Sequence, residues 1–352
     1  MQNCSSTAEC HALELPLHTV DRSLFRRATH RLHTLFKIYA DTCPVPLPTP
    51  GLIITSEIRN QCECYLPIAE VTAAFYRLYR STLTYPSILS STPFHKAMSW
   101  ADVFVTLPPN MQFSANPARL LESLCADRTL LTEFLFASFL PSRFYNGFGR
   151  YPRQQEFIRD WLADRGMETV RCLDAACGTG EGAYDLGLIL SELKFSPENI
   201  HIDGWTLEPL EVWAAAARRF PHDQRREMEL RETTSALMEN GYMSRTVFTC
   251  RDILRQSSHP AYTGNGEKCC FDIILCNGLL GGPIIHENEE LELAIANLEE
   301  LLTPGGIILA ADSFHGGWKQ KCPLSELRAL FETNRLKTFE AGEGIGGLKS
   351  DQ

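Results

Sequence analysis

The chain is short of several things, and each shortage closes off a class of function. It lacks a cationic start followed by an apolar stretch: the first residues read "MQNCSSTAEC", and no uninterrupted apolar run reaches the length of a membrane span. A cytoplasmic protein with no membrane partner is therefore expected. Positive charge is also scarce, with a formal net charge of −10 and a sequence pI near 5.5. Without a broad basic field to hold a phosphate backbone, nucleic acid is not an expected partner. The arginine pairs at 26–27, 218–219 and 225–226 sit among helix formers and read as solvated helix surface. Paired cysteine knuckles are missing too. Of the 13 cysteines, Cys62/Cys64 and Cys269/Cys270 have neither the two-residue gap nor the distant second pair of a zinc site, so no metal is expected. An odd count scattered through apolar runs points to reduced thiols.

What is present is an ordinary globular composition, 44% hydrophobic and 22% charged over 352 residues, enough for one large core and a smaller companion. Residues 1–140 read as mainly helical. Leu24, Phe25, Leu32, Leu35, Phe36 and Tyr39 form one stripe over 19–41. A proline-dense connector, "CPVPLPTPGL", precedes a second amphipathic helix at 66–83, and "NPARLLESLCADRTLLTEFLFASFLP" reads as two short helices. This portion carries no motif that performs chemistry alone. It suits a lid, a docking unit or a dimerisation surface, and a homodimer stays open.

From 141 to 352 the rhythm changes. The runs "TVRCLDA", "NIHIDGWTLE", "RTVFTCRDI", "CCFDIILCNGLL" and "IILAADS" alternate with segments of helical length. That alternation predicts an α/β domain built on a mostly parallel sheet covered on both faces, with ligands at the carboxyl ends of the strands. Residues 221–245 read as a charged helix and 254–268 as a polar surface loop.

The chemistry starts at "CLDAACGTGEGAYDLG", residues 172–187. Gly178 and Gly180 allow a sharp turn and a close backbone approach, and the helix that follows offers unpaired N–H groups. Only GTG is present, followed by Glu181, an anion where a dinucleotide or P-loop phosphate would have to sit. A cationic adenosine derivative tolerates that glutamate, and S-adenosylmethionine fits: it has no phosphate, and its ammonium and sulfonium suit carboxylates and ring faces. Asp174, Ala176, Gly178 and Gly180 are the expected cofactor contacts of this turn. At the exit of the second strand Glu208, with Thr206 beside it, is preferred for the ribose hydroxyls, and Asp203 is the alternative. Asp252 ends the third strand where it could meet the adenine amino group or cap the following turn. Asn277 follows the fourth strand among several glycines, as a backbone passing close to a ligand requires.

"LDAACGTGEGAYDLG" resembles the glycine-rich loop of the chemotaxis-receptor glutamate methyltransferases, an apolar strand followed by A-G-C-S-T-G-E-E-P-Y-S-L-A. Ala175, Cys177, Thr179, Gly180, Glu181, Tyr184 and Leu186 match, whereas Ala176, Gly178, Gly182, Ala183, Asp185 and Gly187 depart. "FDIILCNGLL" is similar to that family's F-D-[ILV]-[ILV]-x-C-R-N-V-L with one residue fewer, giving Asn277 the asparagine role without a preceding arginine. "FLPSRFYNGFGRYPRQQEFIRDWL" is similar to its T-x-F-F-R segment, with Ser142, Phe144 and Tyr145 in the Thr, Phe and Phe places and Asn146 replacing the arginine. The resemblance covers roughly residues 140–320. It implies a seven-stranded, class I Rossmann-like methyltransferase fold with a helical amino-terminal portion over the cofactor. It also aligns Thr206 with the family's carboxylate after the second strand and Glu208 with its second acidic position.

Methyl transfer asks an enzyme mainly to align donor and acceptor and to exclude water. The missing arginines weaken the case for a protein carboxyl acceptor, although Arg143, Arg150 and Arg153 could substitute. Phe144, Tyr145, Asn146, Phe148, Tyr151, Tyr184 and Trp205 suggest an aromatic and amide pocket, so a small-molecule acceptor is preferred. The alternatives are a protein carboxyl methyltransferase and a cyclase that closes the cofactor's own amine onto its γ-carbon, giving azetidine-2-carboxylic acid and methylthioadenosine in nonribosomal peptide biosynthesis. Tyr145, Asn146, Tyr184 and His315 are the expected catalytic residues, with His286 a further candidate base and His201 structural.

Overall fold

The computed structural model describes residues 20–83, 92–140, 147–255, 270–282, 285–311 and 322–350. The chain divides into two compact units: residues up to 141 together with Ala217–His222, and Ser142–Ala216 together with 223–352.

The first unit is helical: α1 (Arg26–Thr42), α2 (Ser56–Tyr65), α3 (Ile68–Thr82), α4 (Pro93–Lys96), α5 (Trp100–Thr106), α6 (Pro117–Ala126) and α7 (Arg128–Phe139). Leu32, Leu35 and Tyr39 of the predicted stripe are buried, whereas Leu24, ahead of α1, stands 48% exposed. α2 and α5 are short helices with little apolar periodicity in the sequence. Each starts at a hydroxyl N-cap, Thr55 accepting from Ile58 N–H and Ser99 from Asp102 N–H. An aromatic cluster of Phe75, Phe94, Trp100, Phe134 and Phe139, with ring centroids 5.2–6.2 Å apart, makes the core of this unit.

The second unit begins with α8 (Pro152–Arg165), which has proline at its first turn and left-handed Gly166 as its stop. It continues as β1 (Val170–Asp174), α9 (Glu181–Glu192), β2 (Ile200–Thr206), α10 (Pro209–Ala217), α11 (Gln224–Thr233), α12 (Ser235–Glu239), β3 (Thr246–Cys250), β4 (Phe271–Leu275), α13 (Asn288–Glu300), β5 (Leu302–Ala311), α14 (Leu324–Thr333), β6 (Leu336–Ala341) and β7 (Gly344–Lys349). The predicted charged helix breaks in two at Thr234, whose hydroxyl bonds back to the Leu230 carbonyl. The predicted loop 254–268 lies, from residue 256 on, outside the described residues.

All strands join one seven-stranded sheet in the order β3-β2-β1-β4-β5-β7-β6. β1 to β5 pair in parallel, and β7 lies antiparallel between β5 and β6. On one face Leu173, Phe271, Ile274 and Ile308 pack with Leu291, Ile295, Leu298, Leu327 and Phe331 of α13 and α14. The winding reverses between β1 and β4. A crevice at their carboxyl ends is where this architecture places ligands.

Candidate functional site

β1 delivers Asp174 to the carboxyl edge of the sheet, and the chain then turns into α9. The turn hangs between both neighbouring strands: Ala175 N–H donates to the Leu275 carbonyl at 2.8 Å and Cys177 N–H to the Trp205 carbonyl at 2.9 Å. Gly178 at φ +52° and Gly180 at φ +95° take the left-handed conformations that the turn needs. Gly180 caps α9, and a Cβ there would lie 2.9 Å from Ala215 Cβ and 3.0 Å from the Phe248 ring. Its smallness therefore serves the packing of α9 against α10 and β3.

Beside this turn is a cavity of about 70 Å³, bounded by loop 147–151, α8, the turn, α9 and the ends of β1 and β4. Asp174, Glu181 and Asp185 all line it. Asp174 accepts from Ala176 N–H at 3.3 Å, and a Cβ on Gly182 would run into its Oδ2. Glu181 accepts from Thr179 Oγ1 at 2.8 and 2.7 Å and from the Arg226 guanidinium at 3.1 Å, while Arg226 also reaches Thr179 Oγ1 at 2.7 Å. Asp185 accepts from Gly149 N–H at 3.0 Å. Burial pushes its carboxyl up to about 7; the charges of Glu181 and Asp174 push the same way, against the hydrogen bonds from Gly149 and Gln155.

The wall opposite α9 is fixed by amides and a carboxylate. Asn277 Oδ1 accepts from Ala311 N–H at 2.9 Å and from Gln154 Nε2 at 3.1 Å, and its Nδ2 donates to Gln154 Oε1 at 2.7 Å. Glu343, in the β6–β7 turn, accepts from Arg153 N–H and Gln154 N–H at 3.0 and 2.8 Å, satisfying the open start of α8. Asn277 thus borders the cavity and also ties α8 to the ends of β4 and β5.

The other expected residues lie elsewhere. At the exit of β2, the Thr206 hydroxyl donates to Glu211 Oε2 at 2.6 Å and accepts from Glu208 N–H at 3.3 Å. Glu208 is fully buried and accepts from Leu210 N–H at 3.4 Å, at the start of α10. Asp252 accepts from Leu254 N–H at 3.0 Å and pairs with Arg255 at 3.4 Å, which caps the turn after β3. Tyr184 is not among the cavity-lining residues: fully buried, it donates to the Ala215 carbonyl at 2.6 Å and meets Phe248 edge-on at 5.4 Å. Trp205 packs on Phe271 in the core beneath Arg251. His286 and His201 pair with Glu287 and Asp203 at 3.2 and 3.3 Å. Tyr145, Asn146, His315, Arg143 and Phe144 lie outside the described residues. Of the expected aromatic pocket, Tyr151 is the ring that lines the cavity; among the described residues its lining is otherwise acid, amide and aliphatic, with Arg150 and Cys177.

Asp185, Arg226, Gln154, Glu211 and Glu343 were not foreseen as contributors. Asp185 had a signal, a departure from the resembled pattern one turn after Glu181. Arg226 had none, since it reaches Glu181 across 45 residues of sequence. Among the described residues, no group of three or more His, Cys, Asp or Glu could hold a metal ion, and no helix is long and apolar enough to cross a membrane. Every described cysteine is a free thiol.

Strand order, the antiparallel β7 and the glycine turn at the switch point together define the fold as that of the class I S-adenosylmethionine-dependent methyltransferases. No protein-family model matches the chain. The chemotaxis protein methyltransferase of Listeria monocytogenes serovar 1/2a is 26% identical over 188 residues, which is 53% of this chain and 70% of that protein. The protein of the same name from Listeria innocua serovar 6a matches to the same extent. Among solved structures, N-methyltransferase NodS from Bradyrhizobium japonicum WM9 in complex with S-adenosyl-l-homocysteine aligns at a TM-score of 0.36 with 16% identity, over 64% of this chain and 100% of that one. The structure named StiE O-MT aligns at 0.34 with 17% identity, over 53% of each chain. At scores this low the strand order carries the fold, not the superpositions.

Proposed function

We propose that this protein is an S-adenosylmethionine-dependent methyltransferase acting on a small molecule. The observation that carries the reading is the cavity at the carboxyl ends of β1 and β4, lined by Asp174, Glu181 and Asp185, beside a glycine turn with no phosphate-binding pattern. Carboxylates there disfavour a phosphorylated nucleotide and favour a cationic adenosyl compound. The residues fit such a ligand in kind. Asp174 and the turn at 176–180 would hold its cationic end, and the buried acids Glu208 and Glu211 at the exit of β2 would supply oxygens for ribose hydroxyls. Asp252 and Asn277 border the remaining strand ends.

When bound, the cofactor supplies a methyl carbon activated by positive sulfur. The chain's own contribution is alignment and exclusion of water: Arg226 and Thr179 orient Glu181, and Glu343 with the Gln154–Asn277 amide pair fixes the α8 wall. The acid lining also favours a neutral or basic small acceptor over a protein carboxylate, which like charges would repel. Tyr145, Asn146 and His315 are proposed to act at the acceptor.

Thermal shift with S-adenosylmethionine and S-adenosylhomocysteine, followed by chromatography of products, tests the reading. Stabilisation by both ligands, with S-adenosylhomocysteine formed only when an acceptor is added, is expected. Methylthioadenosine formed from cofactor alone would replace methyl transfer by cyclisation. Stabilisation by NAD or ATP instead would overturn the cofactor.

A further inference from the structure

In the motif that the turn resembles, two consecutive glutamates open the helix; here Glu181 is kept, the second becomes Gly182, and the serine three residues later becomes Asp185. The structure shows what this exchange does. Gly182 leaves no side chain between α9 and Asp174, whose Oδ2 lies too close to leave room for a Cβ there. Asp185, on the next turn of α9, lines the same cavity. A carboxylate is thereby moved down the helix without leaving the site, and it is aimed by Gly149 N–H at 3.0 Å and by Gln155.

We propose that Asp185 is a specificity-determining residue of this site: its carboxylate gives the cavity its preference for a ligand end of net positive charge, and it releases a proton to solvent as that end enters. The inference rests on the cofactor reading above. The charged and titratable groups facing Asp185 are Arg150 and Tyr151 from loop 147–151, Asp174 from the end of β1, Cys177 from the turn and Glu181 from α9, with Arg226 reaching Glu181 from α11; α8 contributes the neutral amides Gln154 and Gln155. Burial, with two like charges beside it, holds the Asp185 proton near neutrality in the free protein. A cation arriving among these carboxylates reverses that balance, so binding and deprotonation reinforce each other. The sulfonium cofactor carries one more positive charge than its thioether product. The same carboxylate therefore helps to hold the former and to release the latter.

Calorimetric titration of the full chain with S-adenosylmethionine and with S-adenosylhomocysteine at pH 6 and pH 8, each in two buffers of different ionisation enthalpy, provides the test. For the wild type, affinity for S-adenosylmethionine is expected to rise up to about tenfold between pH 6 and pH 8, as one group titrating near 7 allows, with proton release at pH 6. Asp185→Asn is expected to abolish both the slope and the proton release, and to lower the preference for S-adenosylmethionine over S-adenosylhomocysteine several-fold. Asp185→Ser, which restores the residue of the resembled motif, should behave likewise, and the two variants together guard against a local misfolding of one. If the variants keep the wild-type slope and ligand ratio, the assignment of Asp185 is overturned while the cofactor reading stands. If the wild type binds neither ligand, the cofactor reading itself falls, and this inference with it.

Discussion

Segment 149–154 is held at its two ends by carboxylates that do similar work and titrate in opposite directions. At one end Asp185 accepts Gly149 N–H; at the other Glu343 accepts Arg153 N–H and Gln154 N–H. Both are partly withdrawn from water, and that alone pushes each upward. Glu343 nevertheless ends below its ordinary value, because two backbone donors at the open end of a helix and the Arg153 side chain outweigh burial. Asp185 ends near 7 because burial outweighs its hydrogen bonds from Gly149 and Gln155, and the charges of Glu181 and Asp174 in the same cavity push the same way. The lesson is that a hydrogen bond from the backbone does not fix the charge state of a carboxylate. The balance of burial, donors and neighbouring charges decides it.

The severest way to disturb this contrast is to remove the cation that balances the cavity acids. Glu181 is 7% exposed in its side chain, and Arg226→Ala would leave it buried without its guanidinium partner, at a cost of about 3 kcal/mol in urea denaturation. Arg226→Lys should recover part of this but not the joint contact to Thr179 and Glu181. A loss too small to measure would mean that the cavity acids are well solvated, and the contrast with Glu343 would lose its cause.

Next in size is the stability of the ligand-free protein carrying Asp185→Asn. The folded carboxyl holds its proton to about 7, against an ordinary value of 3.8, so the wild type loses stability as pH rises from about 4 to 7 and remains at the lower level above. The asparagine variant escapes that loss. It should be more stable than the wild type by about 1–2 kcal/mol at pH 8, after allowance for a weakened bond to Gly149, and the advantage should vanish near pH 4. An apolar-core residue would show no such crossing. A variant less stable than the wild type at every pH would place Asp185 among simple structural anchors.

The sheet is legible in the sequence because short runs rich in apolar and β-branched residues, ending at Asp174, Thr206, Cys250 and Leu275, alternate with segments of helical length, and α8 stops at Gly166. α2 and α5 are hard to read in the sequence because short helices beside prolines and serines have little periodicity; their hydroxyl caps are the readable sign. At the site, the turn and Asp174 could be found from spacing alone, since turn geometry is local. The pairing of Arg226 with Glu181, of Gln154 with Asn277 and of Glu343 with the start of α8 could not, because each joins residues 45 to 190 positions apart. Tyr184 shows the converse: the matched motif suggests a role at the ligand, and the structure adds a bond from its hydroxyl to the Ala215 carbonyl that joins α9 to α10.

The gentlest test works on the other half of the contrast. Glu343→Gln keeps a carbonyl oxygen that can accept one of the two N–H groups but removes the negative charge from the start of α8. A loss of about 1 kcal/mol is expected at pH 7. The sign of its pH dependence is fixed by the lowered titration of the folded carboxyl. The wild-type advantage is complete above the ordinary value of 4.5 and is lost as pH falls through the lower folded value, where the carboxyl takes up its proton and resembles the amide. Denaturation curves of wild type and variant should therefore converge in acid, whereas those of wild type and Asp185→Asn separate toward alkaline pH. Parallel curves for Glu343→Gln down to pH 3 would show that shape rather than charge holds α8, and the contrast would then rest on Asp185 alone.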